Sequence, residues 1–568
     1  MLLTKPAMLL AGATSVSAFV AASIERGQQQ QQQQQLSVDP TDHGFRCDLP
    51  PVLDPAGDGL PSALGLFSSR EALERQVKRH QAVVRVPTVS YDDLGSFDED
   101  RRWEPYYELH DVLKKTYPVT HKRAKVEKIN TFGLLYTIQG SDETLEPVLL
   151  LAHQDVVPVA DESSWKYPPF EAVYDGTSIW GRGSSDDKNS LTAILSALEA
   201  LLSHEHYRPR RTVLLALGFD EERSGYLGAE KIAQTLAERY GEDGVAAVLD
   251  EGGLGLRAFG DVLYALPAVT EKSYMDVWVE LDVVGGHSSR PFPHTGIGIM
   301  AEIVAALEAH PYQPRIVEDS PVHRHLQCQA RYSPHAQPAL TRRIRMHDLE
   351  GAADLLVQDS LAAQYQVQTS QAVDYISGGQ KINAMPEKVL LGVNYRVSHH
   401  DSVFQVQHNV VEHARAVARK YGLSVRAYEG DDDYARWAAG HAAAGEEAQN
   451  SRPDIDYRGT LIFTTQQRSE RVPVTPTSGP VWDIVTGTIR HTFASDNGTV
   501  VPSPDIMTGN TDSRHYLRLS KHVYRFAPYR YAGEDNIHTI DEHVRMDGHM
   551  EMVRFYYDFV RNFDAANV

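Results

Sequence analysis

Strands alternating with helices from Arg70 onward predict an α/β protein, a mostly parallel sheet with helices on both faces, interrupted by a smaller inserted α+β domain. Three observations carry this. Runs such as Val148–Leu151 ("VLLL") are continuously apolar, as strands covered on both faces must be. Stretches with helical spacing of apolar residues separate these runs. After "LPAVTEKS" the texture changes, and "YMDVWVELDVV" alternates apolar with polar as a strand with one solvated face does.

Taken in order, "REALERQVKRHQAVVRV" reads as a helix ended by Pro87, and "WEPYYELHDVLKKTYP" as a second. "TFGLLYTIQG" and "VLLL" read as strands, "NSLTAILSALEALLSH" as an apolar helix and "TVLLALGF" as a strand. "GYLGAEKIAQTLAERYG" is a helix and "VAAVLD" a strand. In the insert, "GIGIMAEIVAALEAH" and "VFQVQHNVVEHARAVARKYG" are helices between the strands "YMDVWVELDVV", "KVLLGVNYRVS" and "LSVRAYEG". The expected division is a signal peptide or signal anchor at 1–24, a disordered linker at 25–65 and a catalytic domain in two parts, 66–270 and 469–568. Between those parts lie a lid or dimerisation domain at 271–430 and a variable, largely exposed insertion at 431–468.

The formal charge of -21, from 55 Lys+Arg against 76 Asp+Glu, excludes a broad basic surface for nucleic acid. Cys47 and Cys328 are the only cysteines, which leaves no disulfide framework and no thiolate cluster, so any metal must be held by His, Asp and Glu. After Lys5, "PAMLLAGATSVSAFVAAS" has the make-up of a secretory signal with cleavage near Ala22, an uncleaved anchor being the alternative. That anchor is the one expected link to a membrane. Asn497-Gly498-Thr499 is an acceptor sequon for N-glycosylation, consistent with secretory entry.

Ligands in open α/β sheets bind at the carboxyl ends of the strands. "VLLLAHQDVVPV" places His153 and Asp155 at such an end, two apart and therefore able to serve one site. Four further stretches are placed alike. "WGRGSSDDKNS" sets Asp186 and Asp187 before the apolar helix, and "LLALGFDEERSG" sets Asp220, Glu221 and Glu222 after a strand. "AAVLDEGG" does the same for Asp250 and Glu251, and "GEDNIHTIDEHV" offers His538. Each alone is an N-cap or a solvated turn. Together they gather acids and histidines along one sheet edge.

With "AHQDVVPV", "WKYPPF", "GRGSSDDKNS", "DEERSGYLGA", "LDEGG", "GGHSS" and "GGQKINAMPE", the chain resembles the di-zinc metallopeptidases that include aminoacylase, acetylornithine deacetylase and carboxypeptidase S. It is most like the branch around carboxypeptidase S and the secreted N-acyl-amino-acid hydrolases. The resemblance spans about Arg70 to Phe563 and implies two Zn²⁺ ions per subunit. By it His153, Asp186, Glu222, Asp250 and His538 are metal ligands, with Asp186 bridging. Asp155 orients His153, and Glu221 is the general base. His287 would stabilise the oxyanion, often from a partner subunit, and Asn383 and Arg396 would contact substrate. "DEH" at Asp541–His543 has at most a supporting part. The resemblance also implies a cis peptide between Asp186 and Asp187, a homodimer through the lid and a destination in the secretory pathway, vacuolar or secreted. The implied activity is release of the C-terminal amino acid from short peptides, with hydrolysis or synthesis of N-acyl amino acids as the alternative. A non-catalytic binding protein on the same fold is the reading of another class, and the intact Glu221 opposes it.

Overall fold

In the computed structural model the residues described are 45–441, 455–494, 500–530 and 535–568. An eight-stranded sheet runs in the order Lys125–Ile129, Gly133–Ile138, Val213–Gly218, Val148–His153, Ala247–Asp250, Val523–Arg525, Ala268–Glu271, Asp505–Met507. The four strands from Val213–Gly218 to Val523–Arg525 are mutually parallel, and the antiparallel pairings flank them. The "VLLL" run behaves as its composition requires. Val148, Leu150 and Ala152 enter the core on one face of the sheet, and Leu149 and Leu151 enter the core on the other. The Lys188–Ser203 helix packs against the Met546–Ala565 helix in the first core, and the Ala229–Tyr240 helix fills the second. Leu191, Leu195, Leu198 and Leu202 lie on a repeating three-to-four-residue spacing and are all buried. Each such leucine contributes about 1.5–3 kcal/mol.

A second sheet has the order Ser370–Gly378, Lys388–Val397, Ser273–Asp282, Thr460–Thr464, Ser424–Ala427. Its Ser273–Asp282 strand alternates buried and half-buried positions throughout, sending Met275, Val277, Val279 and Leu281 into a core shared with the Gly296–Glu308 and Val403–Tyr421 helices. Both sheets lie in one compact unit, Cys47–Val568.

Three expectations are corrected. Thr460–Thr464, assigned to an exposed insertion, pairs with Ser273–Asp282 and buries Leu461 and Phe463. Five strand residues are lost when averaged with the polar, alanine-rich segment before them. Residues 45–62 are not a linker. Leu53 N–H donates to the Gly487 carbonyl at 3.1 Å, and the Arg561 guanidinium grips Asp58 at 2.6 and 2.7 Å. This proline-rich segment lacks periodicity because its partners are distant backbone groups and three arginines, Arg331, Arg490 and Arg561. Finally, Cys47 and Cys328 form a disulfide across 281 residues, tying this segment to the Pro321–Tyr332 helix. The signal or anchor at 1–24, the glutamine tract, the sequon and residues 442–454 lie outside the described residues. Among the described residues no helix is long and apolar enough to cross a membrane.

Candidate active site

His153 closes the Val148–His153 strand and is 1% exposed. One ring nitrogen, Nδ1, lies 3.3 Å from Asp155 Oδ1 and 3.1 Å from the Asp155 carbonyl; the other, Nε2, lies 3.0 Å from Asp186 Oδ1. The Asp155 carboxylate also accepts the backbone N–H groups of Glu221 and Glu222, both at 3.1 Å. One buried acid thus fixes both the histidine and the turn that follows Val213–Gly218. Asp186 precedes the Lys188–Ser203 helix, and its peptide bond to Asp187 is cis, as the resemblance implies. The other Asp186 oxygen is 3.0 Å from His538 Nε2, which lies 3.2 Å from Glu222. The donor atoms of His153, Asp186 and Glu222 fall within 4.8 Å of one another.

The electrostatics suit a cation. Burial works against charge on His153, yet the hydrogen bonds and charges of Asp155 and Asp186 hold its imidazole well above the ordinary range. Hydrogen bonds donated to Asp186 and Glu222 push His538 up to about 10. Such shifts mark a site that concentrates positive charge, and imidazole with carboxylate oxygens is a donor set that fits Zn²⁺. Burial also pushes the Glu221 carboxyl well above its usual range; His153 pulls it back, while Glu222, Asp512 and Asp155 add to the push.

Asp250, expected as a ligand, closes the Ala247–Asp250 strand and is 1% exposed. Its Oδ2 accepts the Ser513 N–H at 2.8 Å and its Oδ1 the Glu251 N–H at 2.9 Å. The neighbouring Glu251 carboxyl feels Asp186, Asp187 and His153, and Asp187 in turn feels Asp250. His287 and Asn383 are exposed on the second sheet's side, His287 in the short ladder with Ala384 and Asn383 through its carbonyl to Ser288 N–H. Neither is hydrogen-bonded to the histidine–carboxylate group. Arg396 leaves the second sheet instead of pairing inside it. It donates to Asn510 Oδ1 at 2.7 Å, lies 5.0 Å from the Tyr274 ring centre and feels the charge of Glu221.

Two further carboxylates support this group, one of them in the "DEH" stretch that was expected to have at most a supporting part. Glu542, in "DEH", accepts the N–H groups of Gly183, Ser185 and Asp186 at 3.0, 2.9 and 3.1 Å and the Arg182 guanidinium at 2.6 Å, shaping the whole Asp186 loop. Asp512 sits so close to two turns that a Cβ at Gly218 or at Gly225 would meet its carboxylate at 2.2 Å. At Gly225, with φ +69°, glycine is required twice over.

Strand-end histidine and carboxylates on a parallel sheet define a metal-dependent α/β hydrolase. The chain belongs to the peptidase family M20/M25/M40, whose family model matches residues 149–562. It is 38% identical over 505 residues to carboxypeptidase S of Saccharomyces cerevisiae, covering 86% of this chain and 84% of that one. An uncharacterised carboxypeptidase of Schizosaccharomyces pombe is 38% identical over 534 residues, with 92% and 85% covered. The N-fatty-acyl-amino acid synthase/hydrolase of Bos taurus is 28% identical over 509 residues, with 88% and 90% covered. Among solved structures, human carnosine dipeptidase 1 shares the fold with a TM-score of 0.60 at 14% identity, over 89% of this chain and 100% of that one.

Proposed function

We propose that the protein is a zinc-dependent carboxypeptidase that releases the C-terminal residue of short peptides. The observation that carries this is Glu221 beside the His153–Asp186–Glu222–His538 group, in a chain whose 38% identical relatives are named carboxypeptidases. Two ions are proposed because the two Asp186 oxygens face two different histidines, as a bridging carboxylate must. His153 and Asp250 would serve one ion, and Glu222 and His538 the other. Bound there, the cations supply Lewis acidity toward the scissile carbonyl and acidify water. The chain's own residues do the rest. Asp155 holds His153 in one orientation through Nδ1. Glu221 takes a proton from water at its carboxylate and returns it to the leaving nitrogen, a task suited to a carboxyl that burial makes more basic than usual. Arg396, half-buried and oriented by Asn510, would hold the substrate's terminal carboxylate.

Hydrolysis of N-acyl amino acids is the second reading, favoured by the 28% identical relative with that name. His287, exposed and away from the metal ligands, is proposed to complete the site of a partner subunit in a homodimer, and Asn383 beside it to meet the substrate. The 271–430 region would then serve as lid and dimer surface. Entry into the secretory pathway, toward a vacuole or the exterior, is supported by the Cys47–Cys328 bond, since disulfides persist in oxidising compartments.

The test pairs an assay with two variants. Blocked dipeptides ending in leucine and N-fatty-acyl leucine are compared side by side; faster turnover of the fatty-acyl substrate would reverse the order of the two readings. Glu221→Gln should lower turnover by about 10²–10⁴-fold while bound metal is retained, and Glu222→Gln should lose metal. Equal metal loss in both variants would sink the division of roles.

A further inference from the structure

A cavity of about 260 Å³ lies between the Leu256–Phe259 strand, the start of Asp505–Met507 and the helices Pro321–Tyr332, Leu349–Asp359 and Leu361–Val367. None of His153, Asp186, Glu221, Glu222 or His538 lines it. Its wall is aliphatic: Leu254, Leu266, Leu326 and Leu356. Three charged residues also line it, Asp505 and Arg257 inside and Asp359 at the exposed rim. Asp505 is 1% exposed. Its Oδ1 accepts from Gln366 Nε2 at 2.8 Å, but its Oδ2 is buried with no partner among the described residues. Arg257 Nε is likewise buried and unpartnered. The two charges feel one another without forming an ion pair. Buried polar atoms are nearly always paired, so two orphans of opposite character in one cavity call for a ligand that supplies both partners.

Such a ligand carries an ammonium for Asp505 Oδ2, a carboxylate for Arg257 and an aliphatic group for the leucines. The volume is below the ~300–1,000 Å³ usual for drug-sized ligands, which restricts it to something small. Asp359, Ser360 and Ala362 at the rim are exposed and give the way in. We propose that this cavity is a binding site for a free aliphatic α-amino acid, separate from the metal site. The assignment rests on the cavity alone and stands whichever amide the metal site hydrolyses.

The experiment uses the diazirine analogue of L-leucine as a photoprobe on the full-length metal-loaded protein, with adducts mapped by peptide mass spectrometry. Adducts are expected on the 321–332 and 349–367 helices. L-leucine should compete for them, and leucinamide and 4-methylpentanoate, each lacking one charge, should compete at least about tenfold less well. Asp505→Asn should abolish this labelling while peptide turnover is retained. Should that variant fold poorly, Ala363→Phe, which fills the cavity from its helical wall, should give the same loss. Adducts confined to peptides carrying His153, Glu221 or Arg396, or labelling of the two helices undiminished in Asp505→Asn or Ala363→Phe, would overturn the proposal. So would the absence of any leucine-competed adduct.

Discussion

At the scale of single residues, the turn after Ala247–Asp250 offers a sharp test, because Asp250 and Glu251 differ by one position. Each Asp250 oxygen accepts one backbone N–H, which leaves each a lone pair for a cation, and the Glu251 carboxyl also feels the charges of this group. Asp250→Asn should therefore cost about half the bound metal. Glu251→Gln should weaken binding by no more than the ~10–100-fold typical of a residue that only supports a ligand. Metal analysis of the purified variants decides, and the opposite ranking would put Glu251 in the ligand set in place of Asp250. The sequence made the motif "LDEGG" conspicuous but not the direction of each side chain, which depends on where the strand ends. His153, Asp186, Glu221, Glu222 and His538 were legible because their types and strand-end positions are chemical signals in themselves. Asp512 was not, since a carboxylate that fills the space above two glycines leaves no pattern, and Glu542 was legible only as a support. Asp505 supports a prediction of a different kind. Burial pushes its carboxyl up to about 7, with Arg257 pulling against it. A raised carboxyl favours the protonated native state, so its contribution is fully present below the unfolded value and lost as pH rises through about 7. Asp505→Asn should accordingly raise the denaturation midpoint more at pH 8 than at pH 5, the differential being a few kcal/mol at most. Equal shifts at the two pH values would show that the carboxyl is not perturbed.

At the scale of elements, the buried strands and the amphipathic helices were readable from periodicity, and the elements that escaped did so for definable reasons. The Pro321–Tyr332 helix, "PVHRHLQCQARY", hides its buried face behind histidines and glutamines that are themselves buried, among them His323, His325 and Gln329. Thr460–Thr464 is too short to stand out from its surroundings. The Cys47–Cys328 bond joins that helix to a segment without secondary structure, 281 residues away, and two lone cysteines carry no spacing from which to infer it. Cys47→Ser should destabilise the protein by about 2–4 kcal/mol, seen as a lower thermal midpoint than the unaltered protein under non-reducing conditions. Dithiothreitol should lower the midpoint of the unaltered protein similarly and leave that of the variant where it is. A midpoint insensitive to both would mean that the Arg331 and Arg561 contacts hold the segment without the covalent link.

At the scale of the whole molecule, the two sheets divide the labour: the eight-stranded sheet carries the histidine–carboxylate group, and the five-stranded one carries Arg396 and stands beside the ladder of His287. If His287 completes a neighbour's site, His287→Ala should lower turnover by about 10²–10³-fold, as loss of one oxyanion donor does. Mixing inactive His287→Ala with inactive Glu221→Gln should then restore part of the activity, because each hybrid pair holds one site with both residues intact. No recovery after subunit exchange has been verified would place the histidine's role within its own chain. The long disulfide has a further consequence for a protein proposed to work among other proteases. A single cut in any exposed turn between Cys47 and Cys328 divides the backbone without dividing the molecule, since the amino-terminal fragment remains sewn to the remainder. Scission and loss of material become separate events, and a nicked enzyme should run as one species on a gel until a thiol is added.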